Sequence, residues 1–168
     1  MNFKVCMFDQ MPPWDSLPVA KLSYFPDSRD INQNIFGQGR LCYVAGTGLV
    51  VRLWLFEAPP YHKDSLLTLT FVGANGPLQV FFMQGEQAAY FSSEADRGSL
   101  VVDSFAGEDL QGEYWGGQFV LDDYFLQKQL GKGQIAPSKM IRGNLMSRAY
   151  TVGRLFPDEY GEFLLVNY

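Results

Sequence analysis

Period-two alternation governs the stretch from Leu41 to Phe71, LCYVAGTGLVVRLWLFEAPPYHKDSLLTLTF, and predicts three successive β-strands. Residues 41–45 are apolar and β-prone, Gly46-Thr47-Gly48 supplies the positive-φ residues of a tight hairpin, and residues 49–56 form the longest β-branched and aromatic run in the chain. Successive side chains of a strand point to opposite faces. Leu49, Val51, Leu53 and Leu55 therefore share one face, and Val50, Arg52, Trp54 and Phe56 share the other. After a Pro-Pro loop the third run places Leu67, Leu69 and Phe71 on one side and Leu66, Thr68 and Thr70 opposite. A wholly apolar face needs cover from a second layer, so the pattern predicts a β-sandwich of two sheets.

The remaining chain extends the same reading. Residues 2–8 alternate loosely and predict an edge strand, while Pro12, Pro13 and Pro18 break pairing and predict an ordered loop that lays Trp14 over the core. A strand is expected over residues 20–25, with Leu22 and Tyr24 on one face, followed by a long surface loop over 27–38. Further strands are expected at 78–83 and 88–91, a hairpin around Gln84-Gly85-Glu86, then at 100–105, 113–121, 139–148 and 162–166. In the 113–121 strand Trp115, Phe119 and Leu121 share a face and read as core. One short helix is expected over 122–130, capped by Asp122 or Asp123 and ended by Gly131. About ten strands at this spacing predict an all-β fold, a sandwich of jelly-roll or immunoglobulin-like topology, in a single domain over residues 1–168.

Composition narrows the function more than the fold. A chain of 168 residues can bury about two-thirds of its unfolded surface, so it needs no disulfide or metal to hold it together. The formal charge of −5 arises without any basic run or stripe that could neutralise consecutive phosphates, which argues against a nucleic-acid partner. Residues 1–10 lack the charged start and long apolar segment of a signal peptide, and no stretch is long enough to span a membrane. Cys6 and Cys42, in apolar strand settings, read as reduced thiols rather than a disulfide, and together these features predict a cytoplasmic protein, with export by a route lacking a signal left open.

With the strands placed, the chain resembles the carbohydrate-binding family 9-like proteins, β-sandwiches related to family 9 carbohydrate-binding modules and more distantly to DOMON domains. Three passages carry the likeness: LVVRLWLFEAPP ending in Glu57 with Lys63-Asp64-Ser65 after it; Glu113-Tyr114-Trp115 running through Phe119-Val120-Leu121 into the short helix; and Ile141-Arg142-Gly143-Asn144-Leu145 followed by Phe156-Pro157-Asp158 and Tyr160-Gly161-Glu162-Phe163. The resemblance implies a module that binds a sugar without transforming it.

Such a site needs an aromatic face for the apolar side of a pyranose and polar groups around it. Trp54 is the candidate platform, Tyr114 a second exposed aromatic, and Arg52, Arg142 and Asn144 the candidate hydroxyl readers, provided that the strands carrying Arg52 and Arg142 are neighbours. The plainer alternative packs Trp54 under a loop and pairs Arg52 with Glu57 or Asp64. No catalytic residue is assigned. The lone histidine, His62, reads as a solvated loop residue, and the adjacent carboxylate pairs read as turns and a helix start. No cofactor or metal is expected either, since the spacing of one His and two Cys fits no metal pattern. The competing function is a protein-interaction or structural domain that has lost its sugar groove and associates with a partner or with itself.

Overall fold

The computed structural model describes residues 2–26, 36–94 and 96–168. Among them are thirteen strands: β1 (Asn2–Phe8), β2 (Ala20–Leu22), β3 (Gly37–Val44), β4 (Gly48–Phe56), β5 (Leu66–Gly73), β6 (Gly76–Met83), β7 (Ala88–Ser92), β8 (Arg97–Val101), β9 (Asp103–Asp109), β10 (Gly112–Leu121), β11 (Met140–Ala149), β12 (Thr151–Arg154) and β13 (Gly161–Asn167). A 3₁₀ turn, Trp14–Ser16, lies in the proline loop, and one α-helix, α1 (Asp123–Leu130), follows β10. None of these helices is long and apolar enough to cross a membrane.

The all-β, sandwich-like fold expected from the alternation is what forms, but its two layers are hydrogen-bonded into one continuous sheet. Its order is β8-β7-β6-β5-β11-β13-β1-β3-β4-β10-β9. That sheet folds over on itself: Phe82 of β6 packs edge-on against Trp115 and Phe119 of β10, at 6.3 and 6.0 Å between ring centroids, although their strands stand far apart in the order. One layer is therefore β8-β7-β6-β5-β11 and the other β3-β4-β10-β9. The parallel pair β1–β13 joins them along one side, where Asn2 to Met7 run alongside Glu162 to Asn167. A second junction is made by β12 beside β11 and β2 beside β3, stitched by the Tyr24–Arg154 bridge. At the far side β8 passes into β9 through the buried Val102.

The inward faces are those the alternation assigns. Leu49, Val51, Leu53 and Leu55 are all at most 2% exposed, as are Leu67, Leu69 and Phe71, and they join Trp115, Phe119 and Leu121 in one core. Fully burying an aliphatic or Phe side chain stabilises by about 1.5–3 kcal/mol, so this shared core is the main force holding the layers face to face. Helix α1 caps one end with Leu126 and Leu130. It starts at Asp122, whose side chain accepts from the Phe125 amide at 2.7 Å, and stops at Gly131, whose φ of 105° few other residues adopt. Trp14 and Leu17 of the proline loop cover a smaller apolar cluster of Cys42, Val44 and Val50, as expected for a tryptophan laid over the core.

Several expectations need correction. β1 is no edge strand, because β13 pairs it on one side and β3 on the other. Gly37 and Gln38 belong to β3 rather than to a loop, and residues 27–35 lie outside the described part. The strand expected at 100–105 is the end of β8 and the start of β9, and β12 was not foreseen. Leu22 is buried but Tyr24 is exposed, since β2 ends at Leu22 and only a single bridge continues it.

Candidate functional site

The outward face of the β3-β4-β10-β9 layer is a grid set by strand register. One row across it reads Gln38, Trp54, Gly116, Phe105, and the next reads Arg40, Arg52, Gln118, Asp103. On the other side of the tryptophan row, Phe56 lies beside Tyr114, and Tyr114 beside Gly107. Residues directly opposite in an antiparallel pair have Cβ atoms about 5 Å apart, so these side chains meet.

Two glycines shape this surface. A Cβ at Gly116 would come within 2.7 Å of both the Phe105 ring and the Trp54 Cβ, and one at Gly107 within 2.6 Å of the Tyr114 hydroxyl oxygen. The aromatic rings thus occupy space that side chains would fill at any other residue. The result is a shallow groove of about 170 Å³ lined by Arg40, Arg52, Trp54, Phe105, Tyr114 and the carboxyl groups of Asp15 and Asp109.

The cations are held by their neighbours. The Arg52 guanidinium stands 4.4 Å from the Phe105 ring centroid and 5.6 Å from that of Trp14, and the Arg40 guanidinium 5.9 Å from that of Trp54. Arg40 also donates to the Trp14 carbonyl at 2.8 Å and to the Asp15 carboxylate at 3.1 Å, which fastens the proline loop to the edge of the groove. The Asp109 carboxyl accepts from the Gln111 amide at 2.7 Å within the β9–β10 turn.

Of the five residues singled out from sequence, Arg52, Trp54 and Tyr114 come together here, with Trp54 and Tyr114 both half-buried. Arg142 and Asn144 do not join them, because β11 pairs with β5, β13 and β12 and β4 pairs with β3 and β10. Asn144 is 5% exposed and serves the protein's own backbone. Its amide nitrogen lies 3.1–3.3 Å from the carbonyls of Phe156, Asp158 and Glu159, and its oxygen accepts from the amides of Leu145 and Phe156 at 3.0 Å. Arg142 is exposed, with its guanidinium 5.4 Å from the Tyr160 ring centroid.

Glu57 plays a similar part in the other layer. It is 5% exposed and accepts from the Trp115 indole at 3.0 Å, the Ser65 hydroxyl at 2.9 Å and the His62 amide at 3.0 Å. It is therefore no partner of Arg52, and among the described residues no carboxylate lies within ion-pair distance of Arg52. His62 is not simply solvated either: its Nδ1 accepts from the Asp64 amide at 3.1 Å and its ring lies 4.2 Å from that of Tyr150.

A larger groove, about 370 Å³, opens on the outward face of the other layer. Its floor runs across three strands as Thr70, Gln79 and Ser92, and its walls include Arg154, Glu159 and Tyr160. Burial and the neighbouring Glu159 carboxylate push the Tyr160 hydroxyl above its usual range, against the opposing pull of Arg142.

Asp15, Arg40, Phe105 and Asp109 were missed from sequence although all four line the smaller groove. Arg40 was recoverable from the hairpin register, which sets it opposite Arg52. Phe105 and Asp109 were not, because the break between β8 and β9 hid the parity of β9. No family model, curated protein or solved structure matches this chain.

Proposed function

We propose that the protein is a non-catalytic module that binds a carbohydrate in the groove over β3, β4, β10 and β9. The observation that carries this is the convergence of arginine and aromatic side chains on one outward surface, in space left open by Gly116 and Gly107. Trp54 and Tyr114 supply faces for the apolar side of a sugar ring, and the N–H edge of Arg52 supplies donors for its hydroxyls. Binding rather than catalysis is supported by the groove's two carboxyl groups lying at opposite ends of it, Asp15 on Arg40 and Asp109 beyond Tyr114, rather than converging on one point. A cytoplasmic setting belongs to the same proposal, supported by Cys6 and Cys42 being free thiols.

Intrinsic fluorescence during titration with mono- and oligosaccharides tests the reading. Trp54 lies in the groove and Trp14 packs on Arg52, so a bound sugar should shift the emission saturably, and Trp54→Ala should abolish the shift while the protein stays folded. Absence of any shift, in a protein that elutes as a dimer or larger, favours an interaction domain instead.

A further inference from the structure

We infer that the sugar taken by this groove is acidic, with its carboxylate or sulfate group seated against Arg40 and Arg52. This rests on the carbohydrate reading above and adds the chemical class of the ligand.

The sheet itself holds an electrostatic conflict. Arg40 and Arg52 are directly opposite one another on β3 and β4, and like charges in that position destabilise a sheet. The protein's own carboxylates relieve the conflict poorly. Asp15 reaches Arg40 at 3.1 Å, but its side chain is 101% exposed, so the pair is screened by solvent. The rest of the row holds only the neutral Gln118 and the exposed Asp103, two strands beyond Arg52.

Both guanidinium groups nonetheless retain hydrogen-bonding capacity. Arg52 lies against Phe105 and Trp14 and makes no side-chain hydrogen bond or ion pair among the described residues, so its N–H groups are uncommitted. Arg40 commits Nη1 to Trp14 and Asp15 and its unbonded Nε is buried, which leaves Nη2 as the donor it can offer. Two neighbouring guanidinium groups with donors to spare match the oxygens of a carboxylate or sulfate, which accept paired N–H bonds from arginine.

The order of rows then points to a sugar rather than a bare anion. The cationic row gives way to the row of Trp54 and Phe105, next comes Tyr114, and Asp109 lies beyond at the far end. A cationic end, an aromatic middle and an acceptor end suit a ring that carries its anionic group on one side and hydroxyls on the other. Asp109, with no ion-pair partner among the described residues, disfavours an anion at that end. The Asp15 charge at the other end is already paired with Arg40, so the anionic group faces the arginines.

The test is calorimetric titration of the protein with hexuronate oligomers of several linkages and a sulfated glycan, beside the methyl esters of the same hexuronates and neutral oligosaccharides. At least one acidic ligand should bind at least tenfold more tightly than its uncharged counterpart and weaken as salt rises. Arg52→Gln should remove that preference with the melting temperature retained, and Arg52→Lys should restore only part of it, because an ammonium group lacks the planar fork. If Arg52→Gln fails to fold, the Arg52→Lys result alone decides. Neutral or esterified sugars binding as well as the acids would overturn the acidic class and leave the carbohydrate reading standing. No binding by any sugar would overturn both. Equal binding of inorganic polyphosphate, insensitive to Trp54→Ala, would reduce the site to unspecific charge attraction and overturn the inference.

Discussion

The outward faces of the two layers arise from the same alternation, yet they use their polar side chains in opposite ways. On the β11-β5-β6-β7 face, Asn144 is enclosed by backbone groups of the segment between β12 and β13, and Arg142 stacks on Tyr160 outside the groove floor. On the β3-β4-β10-β9 face two arginines stand side by side, one without a carboxylate partner among the described residues and the other with a buried nitrogen unbonded. The second groove is the larger by volume, but only the first sets two arginines side by side against a row of aromatic rings. Size marks where a ligand could fit, and unsatisfied polar groups mark where one would be held.

The largest effect that tests this contrast is expected at Asn144. Asn144→Ala removes the partner of two backbone amides and of up to three carbonyls at once, and several of these groups stay buried. Leaving a buried polar group unpaired costs about 1–3 kcal/mol, so a loss of about 3 kcal/mol in urea unfolding is expected, with sugar binding by the remaining folded protein unchanged. Unchanged stability with binding lost would exchange the roles of the two faces.

Next comes Trp54. Its ring is half-buried on the outward surface, so Trp54→Ala should cost only about 1–2 kcal/mol of stability, below the cost of a fully buried tryptophan. Its effect on sugar affinity should be at least tenfold. Arg154→Ala provides the matched control, since it removes a cation from the larger groove and should leave affinity within twofold. A comparable affinity loss from Arg154→Ala would show that the polar trough, not the arginine and aromatic surface, holds the ligand.

Much of this architecture was legible in the sequence because alternation reports burial. The inward residues of β4 and β5, the Trp115 face and the capped helix could all be read that way. Which strands become neighbours could not be read, because register across a folded sheet is decided by long-range packing that local periodicity does not encode. Parity therefore put Arg52 and Trp54 on one face, but the pairing of β4 with β10 that brings Tyr114 to them was not read, and the condition that the strands of Arg52 and Arg142 be neighbours is not met. The passages behind the family resemblance show the same limit. Glu57 with Trp115 and Ser65, and Asn144 with the 156–159 segment, are buried hydrogen-bonding hubs, while Arg52, Trp54 and Tyr114 of the same passages line the outward groove, so motif membership alone does not separate what holds the fold from what faces a ligand.

The smallest effect expected concerns the support beneath the first face, and it appears at alkaline pH. Burial pushes the Cys42 thiol, under the Trp14 loop, from 9.0 up to about 11, with the nearby Cys6 adding to the shift. Next to it on β3, burial and a 2.7 Å hydrogen bond to Asp123 push the Tyr43 hydroxyl from 10.0 up to about 12. Both groups hold their proton more tightly in the folded protein than in the unfolded chain. Their contribution is therefore complete below pH 9 and is lost as pH rises from about 9 to about 12. Urea unfolding between pH 7 and 12 should show a plateau and then a decline. Tyr43→Phe should flatten the part of that decline between pH 10 and 12, at the cost of the bond that ties β3 to the start of α1. A decline identical in the wild type and in Tyr43→Phe would place the alkaline loss elsewhere, with Tyr160 of the second face as the next group to replace.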